Sequence, residues 1–148
     1  MNDTPPLTRQ SWMGLLARAP AADLAALLPD LPAHTALRPA QIGSIMVQGR
    51  TGGVGAAFNL GEMTVTRASV ELAEGGAIGH GYVQGRGKDH ALRAALVDAL
   101  MQTAQADQIE AKILQPLRHA EAQRRQTRAA KAAATKVEFF TLVRGEDQ

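Results

Sequence analysis

Apolar residues follow two rhythms along this chain, helical at both ends and alternating in the middle. From Thr8 onward, Trp12, Leu15, Leu16 and Ala19 recur at helical spacing until Pro20 stops the run. A second short helix is predicted over 21–28, where Leu24, Ala25, Leu27 and Leu28 supply the apolar surface before Pro29 and Pro32 break the chain. Between 35 and 86 the pattern becomes β-branched and alternating, at 35–39, 42–50, 57–60, 63–72 and 77–86, with glycine-rich turns between. Within the last of these, Ile78, His80, Tyr82 and Gln84 share one face while Val83 and several glycines take the other. Glu74-Gly75-Gly76 makes a tight connection between the last two stretches. An antiparallel meander of three or four strands is the expectation.

Helical spacing returns at Asp89, a candidate N-cap, with Leu92, Ala95, Leu96, Ala99, Leu100 and Thr103 on one face that should lie against the sheet. A last helical stretch is predicted from Asp107 to Thr135, with Pro116 kinking or splitting it. The segment from Val137 to Gly145 is extended in character. The predicted fold class is α+β, in one domain spanning 1–148. It comprises a helical hairpin (8–28), an antiparallel sheet of three to four strands (35–86), two C-terminal helices packed on it (89–135) and an extended tail (137–145).

Composition narrows the chemistry. The chain of 148 residues has no cysteine, which removes disulfides, thiolate metal sites and cysteine nucleophiles. The first residues, MNDTPPLTRQSW, lack the basic start and apolar run of a secretory signal, and no window reaches the length of a membrane span. A cytoplasmic protein without membrane contact is expected. Aromatic residues make up 3% of the chain and alanine dominates its apolar share, so stability should come partly from an interface.

No catalytic set is legible: no nucleophile elbow, no supported Ser–His–Asp pattern and no carboxylate pair on an apolar background. His34, His80, His90 and His119 lack metal-ligand spacing, so no metal is expected on this chain. Two turns are candidate phosphate or partner contacts. Arg50 borders the loop Gly49–Gly55, which either cradles phosphate through freed N–H groups or is simply a flexible hairpin loop; it lacks the lysine and hydroxyl of a P-loop. Gln84, Arg86, Lys88 and His90 surround the junction of a strand with a helix N-terminus, where anions are favoured, or where Asp89 caps the helix and the cations are solvated.

Net charge is +2, but six of the Lys/Arg residues fall between Arg118 and Lys136 with one acid, Glu121. On a helix the six lie within an arc of about 140°. Such a stripe is a solvated face, a contact for an acidic partner, or the surface of a stand-alone nucleic-acid-binding module; no stacking aromatic residue accompanies it. The tail places Phe139, Phe140, Leu142, Val143 and Arg144 at a chain end, where a partner interface or strand addition is expected.

Several stretches together resemble one known family. They are Thr8-Arg9-Gln10 before Trp12-Met13, Gly52-Gly53-Val54-Gly55 after a strand, and Thr64-Val65-Thr66-Arg67-Ala68 before Val70 and Leu72. Further on come Tyr82-Val83-Gln84-Gly85-Arg86 with Lys88, His90 and Ala91, then Leu96-Val97-Asp98-Ala99-Leu100-Met101-Gln102, and the Phe139-Phe140-Thr141-Leu142-Val143-Arg144-Gly145 tail. In this order and spacing the chain resembles, from end to end, the PhnG family, the G subunit of the bacterial carbon–phosphorus lyase core complex. The resemblance implies a non-catalytic subunit of a transferase complex that works with the H, I and L proteins. Together they replace the adenine of ATP with methylphosphonate, giving ribose 1-methylphosphonate 5-triphosphate, with the I subunit as nucleosidase centre. It also implies a two-fold symmetric core complex with subunits I, H and J in two copies each. No cofactor is implied on this chain alone; ATP with magnesium is the substrate of the complex, and no nucleic acid is implied.

Overall fold

A computed structural model describes residues 8–137. Helices α1 (Arg9–Arg18) and α2 (Ala21–Leu27) lead into strands β1 (His34–Arg50), β2 (Ala57–Leu72) and β3 (Ile78–Gln84). Helices α3 (Lys88–Leu100), α4 (Ala106–Ile109) and α5 (Gln115–Ala134) follow. Thr8 begins α1 with a reciprocal capping box, accepting from the Ser11 N–H while the Ser11 hydroxyl accepts from its own. The strands form one antiparallel sheet in the order β1-β2-β3.

The five predicted strand segments are three strands, because the breaks between 39 and 42 and between 60 and 63 are bulges in a continuing ladder, not turns. Register shifts lie between Arg38 and Gln41, around Pro39, and between Val47 and Gln48 beside Gly61. The β2–β3 connection is as expected: Gly75 and Gly76 have φ of 79° and 66°, and Leu72 N–H bonds the Ala77 carbonyl at 2.9 Å. β3 pairs only with residues Val65 to Glu71 of β2. Beyond that base, residues 44–50 and 57–64 run on as a two-stranded ribbon, projecting roughly 20 Å at about 3.3 Å per residue.

The packing centres on α3. On β3, Gly79, Gly81 and Val83 face the helix, and Ile78, His80, Tyr82 and Gln84 face away, the alternation expected. A Cβ on Gly79 would lie 1.9 Å from the Ala95 carbonyl oxygen, and one on Gly81 would lie 2.0 Å from that of Ala91. Helix backbone therefore rests directly on strand backbone. Alanines 91, 95 and 99 complete this seat, which explains the alanine-rich composition here better than a thin core does. The expectation of one buried face on α3 is too narrow. Ala94 and Val97 are buried as well, because α1 and α2 also pack on this helix. Nor is Asp89 its N-cap. The helix starts at Lys88 with Gly87 at the cap, since the turn is already fixed by Gly85: its N–H bonds the Thr64 carbonyl at 2.8 Å, and its carbonyl accepts from the buried Thr66 hydroxyl at 2.7 Å.

The last helical stretch runs from α4 through a wide turn at Glu110–Leu114 into α5, with helical backbone at both joins. Pro116 has no N–H and its ring would strike the carbonyl four residues earlier, that of Lys112, so the helix widens just there. Ile113, Leu114 and Leu117 are buried, but every residue from 122 to 134 is exposed.

The glycine seat yields the first prediction. Gly81→Ala drives a methyl into α3 backbone and should destabilise by about 3 kcal/mol, lowering the thermal midpoint by roughly 6–12 °C in a calorimeter. Gly43→Ala, whose Cβ meets nothing within 4 Å, serves as the neutral comparison.

Candidate functional site

Asp98 is the most connected polar residue of the body, and it is fully buried. Its Oδ1 accepts from Trp12 Nε1 at 2.8 Å and Arg9 Nε at 3.1 Å; its Oδ2 accepts from Arg9 Nη2 at 2.8 Å and the His80 backbone N–H at 2.9 Å. One carboxylate thus ties α1, β3 and α3 together. The hydrogen bond from Arg9 to Asp98 raises the guanidinium above its ordinary value, so Arg9 is charged throughout. With four donors on two oxygens the carboxylate is satisfied and has no free lone pair aimed at a reactant. Its role is structural. Sequence reading passed over it, although a lone carboxylate inside the apolar run from Leu96 to Leu100 is itself a sign of buried partners.

The two candidate turns are not brought together. Arg50 sits at the ribbon tip, paired with Ala57, whereas Gln84 pairs with Val65 at the base, roughly 25 Å away along β2. The tip loop is closed on itself. Gly52 and Gly53 have φ of 61° and 81°, Gly55 N–H bonds the Thr51 carbonyl at 2.8 Å, and Arg50 Nη1 bonds the Gly55 carbonyl at 3.2 Å.

At the base, Gln84, Arg86 and Lys88 are exposed along the strand–helix junction. His90 is half-buried and turned toward α1, with Nε2 2.8 Å from the Leu16 carbonyl oxygen; because that oxygen only accepts, Nε2 carries the proton. Asp89 lies in the first turn of α3 beside the helix N-terminus, where it competes with any incoming anion. His34 and His80 are likewise engaged, with the Pro32 carbonyl at 2.7 Å and the Ser69 hydroxyl at 2.8 Å. Among the described residues no three His, Asp or Glu side chains converge on a metal position.

The basic stripe is partly used within the chain. Arg118 pairs with Glu110 across the wide turn, Arg124 lies 3.5 Å from Asp23 of α2, and Arg18 of α1 bonds Glu121 at 2.7 Å. Arg125, Arg128 and Lys131 remain exposed on the projecting part of α5. The tail residues Phe139, Phe140, Leu142, Val143 and Arg144 lie outside the described residues. Missed altogether by sequence reading is the ribbon itself, where Ile45, Met46, Val54, Phe58 and Leu60 are exposed, Val54 at 92% and Leu60 at 67%. Uncovered apolar side chains on this scale mark an interaction surface.

Comparison with known proteins identifies the type of molecule. The family model described as "Phosphonate metabolism protein PhnG" matches residues 7–145. The chain belongs to the PhnG family. A PhnG relative from Rhizobium meliloti (strain 1021), named alpha-D-ribose 1-methylphosphonate 5-triphosphate synthase subunit PhnG, is 43% identical over 143 residues, covering 94% of this chain and 90% of the relative. The span matched by the PhnG model takes in the Asp98 node, the strand–helix junction, the ribbon and the tail over 137–145. No helix among the described residues is long and apolar enough to cross a membrane.

Two predictions follow from these bonds. Asp98→Ala strands the Trp12 and His80 N–H groups and should cost about 3 kcal/mol. Asp98→Asn, which sets an amide donor against other donors, should lose most of the same in urea unfolding. Glu121 is held below the ordinary carboxylate range chiefly by its hydrogen bond to Arg18. Its contribution is therefore present above the unfolded carboxylate value and lost as pH falls through the lower folded one. Glu121→Gln should flatten that acid-side slope by under about 1 kcal/mol, since the pair is partly exposed.

Proposed function

We propose that this chain is an accessory subunit of the carbon–phosphorus lyase core complex, acting in phosphonate catabolism. In that role it supports the displacement of adenine from ATP by methylphosphonate to give ribose 1-methylphosphonate 5-triphosphate. The observation that carries this reading is its family membership, with 43% identity to a named synthase subunit across nearly the whole of both chains. The partners are subunits I, H and J in a core of two copies each, with L acting alongside, in the cytoplasm. ATP with magnesium enters as the substrate of the assembly, with the nucleosidase chemistry on subunit I.

Physical features support a non-catalytic role. Among the described residues, the one deeply buried carboxylate is fully engaged in holding the fold. The ribbon and the far half of α5 present apolar and basic surface to a neighbour. Arg86 and Lys88, with Gln84, are the residues best placed to meet a triphosphate or to shape a neighbouring subunit's loop; Arg50 is placed for a separate contact at the tip, and the tail residues 139–144 for docking.

Co-expression with subunits I, H and J, followed by size-exclusion chromatography and an adenine-release assay, tests the reading. The isolated chain should release no adenine, and the co-eluting complex should. In the complex, Arg86→Ala should raise KM for ATP or methylphosphonate several-fold if the junction meets phosphate. Unchanged KM, kcat and assembly would remove the junction from the function. Turnover by the isolated chain, or failure to co-elute, would overturn the subunit assignment.

A further inference from the structure

We propose that the open edge of β1, over residues 41–49, is a docking edge that takes an added strand from a partner subunit, a segment uncharged in its middle and acidic at its ends. The proposal rests on the subunit reading and names the surface and the chemistry of what it receives.

The direction of the backbone groups follows from one hydrogen bond. Gly85 N–H donates to the Thr64 carbonyl in the register that also pairs Val65 with Gln84. Bonded and non-bonded pairs alternate along an antiparallel ladder, so Val65 turns its N–H and C=O away from β3 and toward Gly43, its partner on β1. Gly43 and Ile45 therefore point their backbone groups inward, and Ile42, Ser44 and Met46 point theirs to the open edge. β1 is the outer strand of the sheet, and none of these outward groups has a partner among the described residues.

Edge strands are ordinarily guarded by charge, proline or a bulge. β1 is guarded at its lower part by Arg38, Pro39 and the irregular register there; the further register shift, between Val47 and Gln48, places its extra residue, Leu60, on β2 and leaves β1 itself regular over 41–49. From Gln41 to Gly49 it carries no charged residue and no proline. None of its seventeen residues is buried, and among the described residues the ribbon has no third strand. A two-stranded ribbon is marginal alone in water, and a third strand makes it stable.

Charge decides the occupant. The charged positions on β1 are Arg38 and Arg50, one at each end of the unguarded stretch, and no carboxylate lies on the strand. A second copy pairing edge to edge, centred on Ser44, would set Arg38 of one chain near Arg50 of the other at both ends. Like charges facing across strands are destabilising. A partner segment with carboxylates near its two ends meets the same arginines favourably. Gly43 adds a steric feature. Over it lies a shallow cavity of about 110 Å³ walled by Ile45, Val65, Arg67 and Tyr82, with room for one aliphatic or aromatic side chain of the incoming strand.

The test uses the full chain, free and assembled with subunits I, H and J, and reads amide hydrogen exchange together with the Ser44→Pro variant. Proline at 44 removes one outward N–H and leaves the ladder to β2 intact. The proposal predicts that the amides of Ile42, Ser44 and Met46 exchange at least tenfold more slowly in the complex than in the free chain. It also predicts that Ser44→Pro co-elutes at least tenfold less well while keeping the wild-type thermal midpoint. Assembly of the wild-type chain with these amides unprotected overturns the docking edge and leaves the subunit reading standing. Protection already present in a free chain of dimeric mass overturns it in favour of a second copy. A wild-type chain that does not assemble removes the subunit reading, and this proposal with it.

Discussion

The close approach of α3 to β3 governs the rest of the molecule. With Gly79 and Gly81 beneath the carbonyls of Ala95 and Ala91, the helix lies deeper on the sheet than larger side chains would permit. That depth lets Asp98, one turn along, reach the His80 backbone N–H on β3 as well as Trp12 and Arg9 on α1. The seat also fixes where the helix can begin, which is why Gly85 turns sharply with φ of 90° and Thr66 bonds it from below. The core around α3 then takes in the buried apolar residues of α1 and α2, with Leu117 from α5. Among the described residues, nothing of comparable size is left to cover the ribbon.

This division separates a self-supporting body from two projections. The body holds most of the buried apolar side chains and the buried carboxylate. The ribbon exposes apolar side chains on both faces, and the far half of α5 stands clear as an alanine-rich helix, a composition that stays helical with little packing. A subunit of a larger assembly needs both parts, one to fold and one to be held. Family membership supplies the assembly in which that division makes sense.

Much of this was legible from residue pattern, and the exceptions have physical causes. The alternation of Ile78, His80, Tyr82 and Gln84 against Gly79, Gly81 and Val83 is local, so it could be read directly. Pro116 announced a disturbance; the wide turn falls at Glu110–Leu114 because the proline acts on the carbonyl behind it. The merging of five strand segments into three was hidden, since whether Pro39 or Gly61 ends a strand or only bulges it depends on the partner strand's register. The ribbon was hidden for the same reason: its exposure follows from β3 being shorter than its neighbours, not from its own composition. Gln84, Arg86 and Lys88 lie exposed at the junction where their sequence position puts them, whereas His90, read at the same junction, turns toward α1, and Arg50, read at a separate turn, sits at the ribbon tip. Asp98 went unread because its partners lie far away along the chain.

Thermal unfolding of a chain in which residues 46–62 are replaced by an Asn-Gly turn closing Ile45 onto Met63 tests the central claim most directly. If the body carries its own stability, the midpoint should stay within about 3 °C of the intact chain. A fall of about 10 °C or more would contradict the account, because the ribbon would then be part of what holds the fold together.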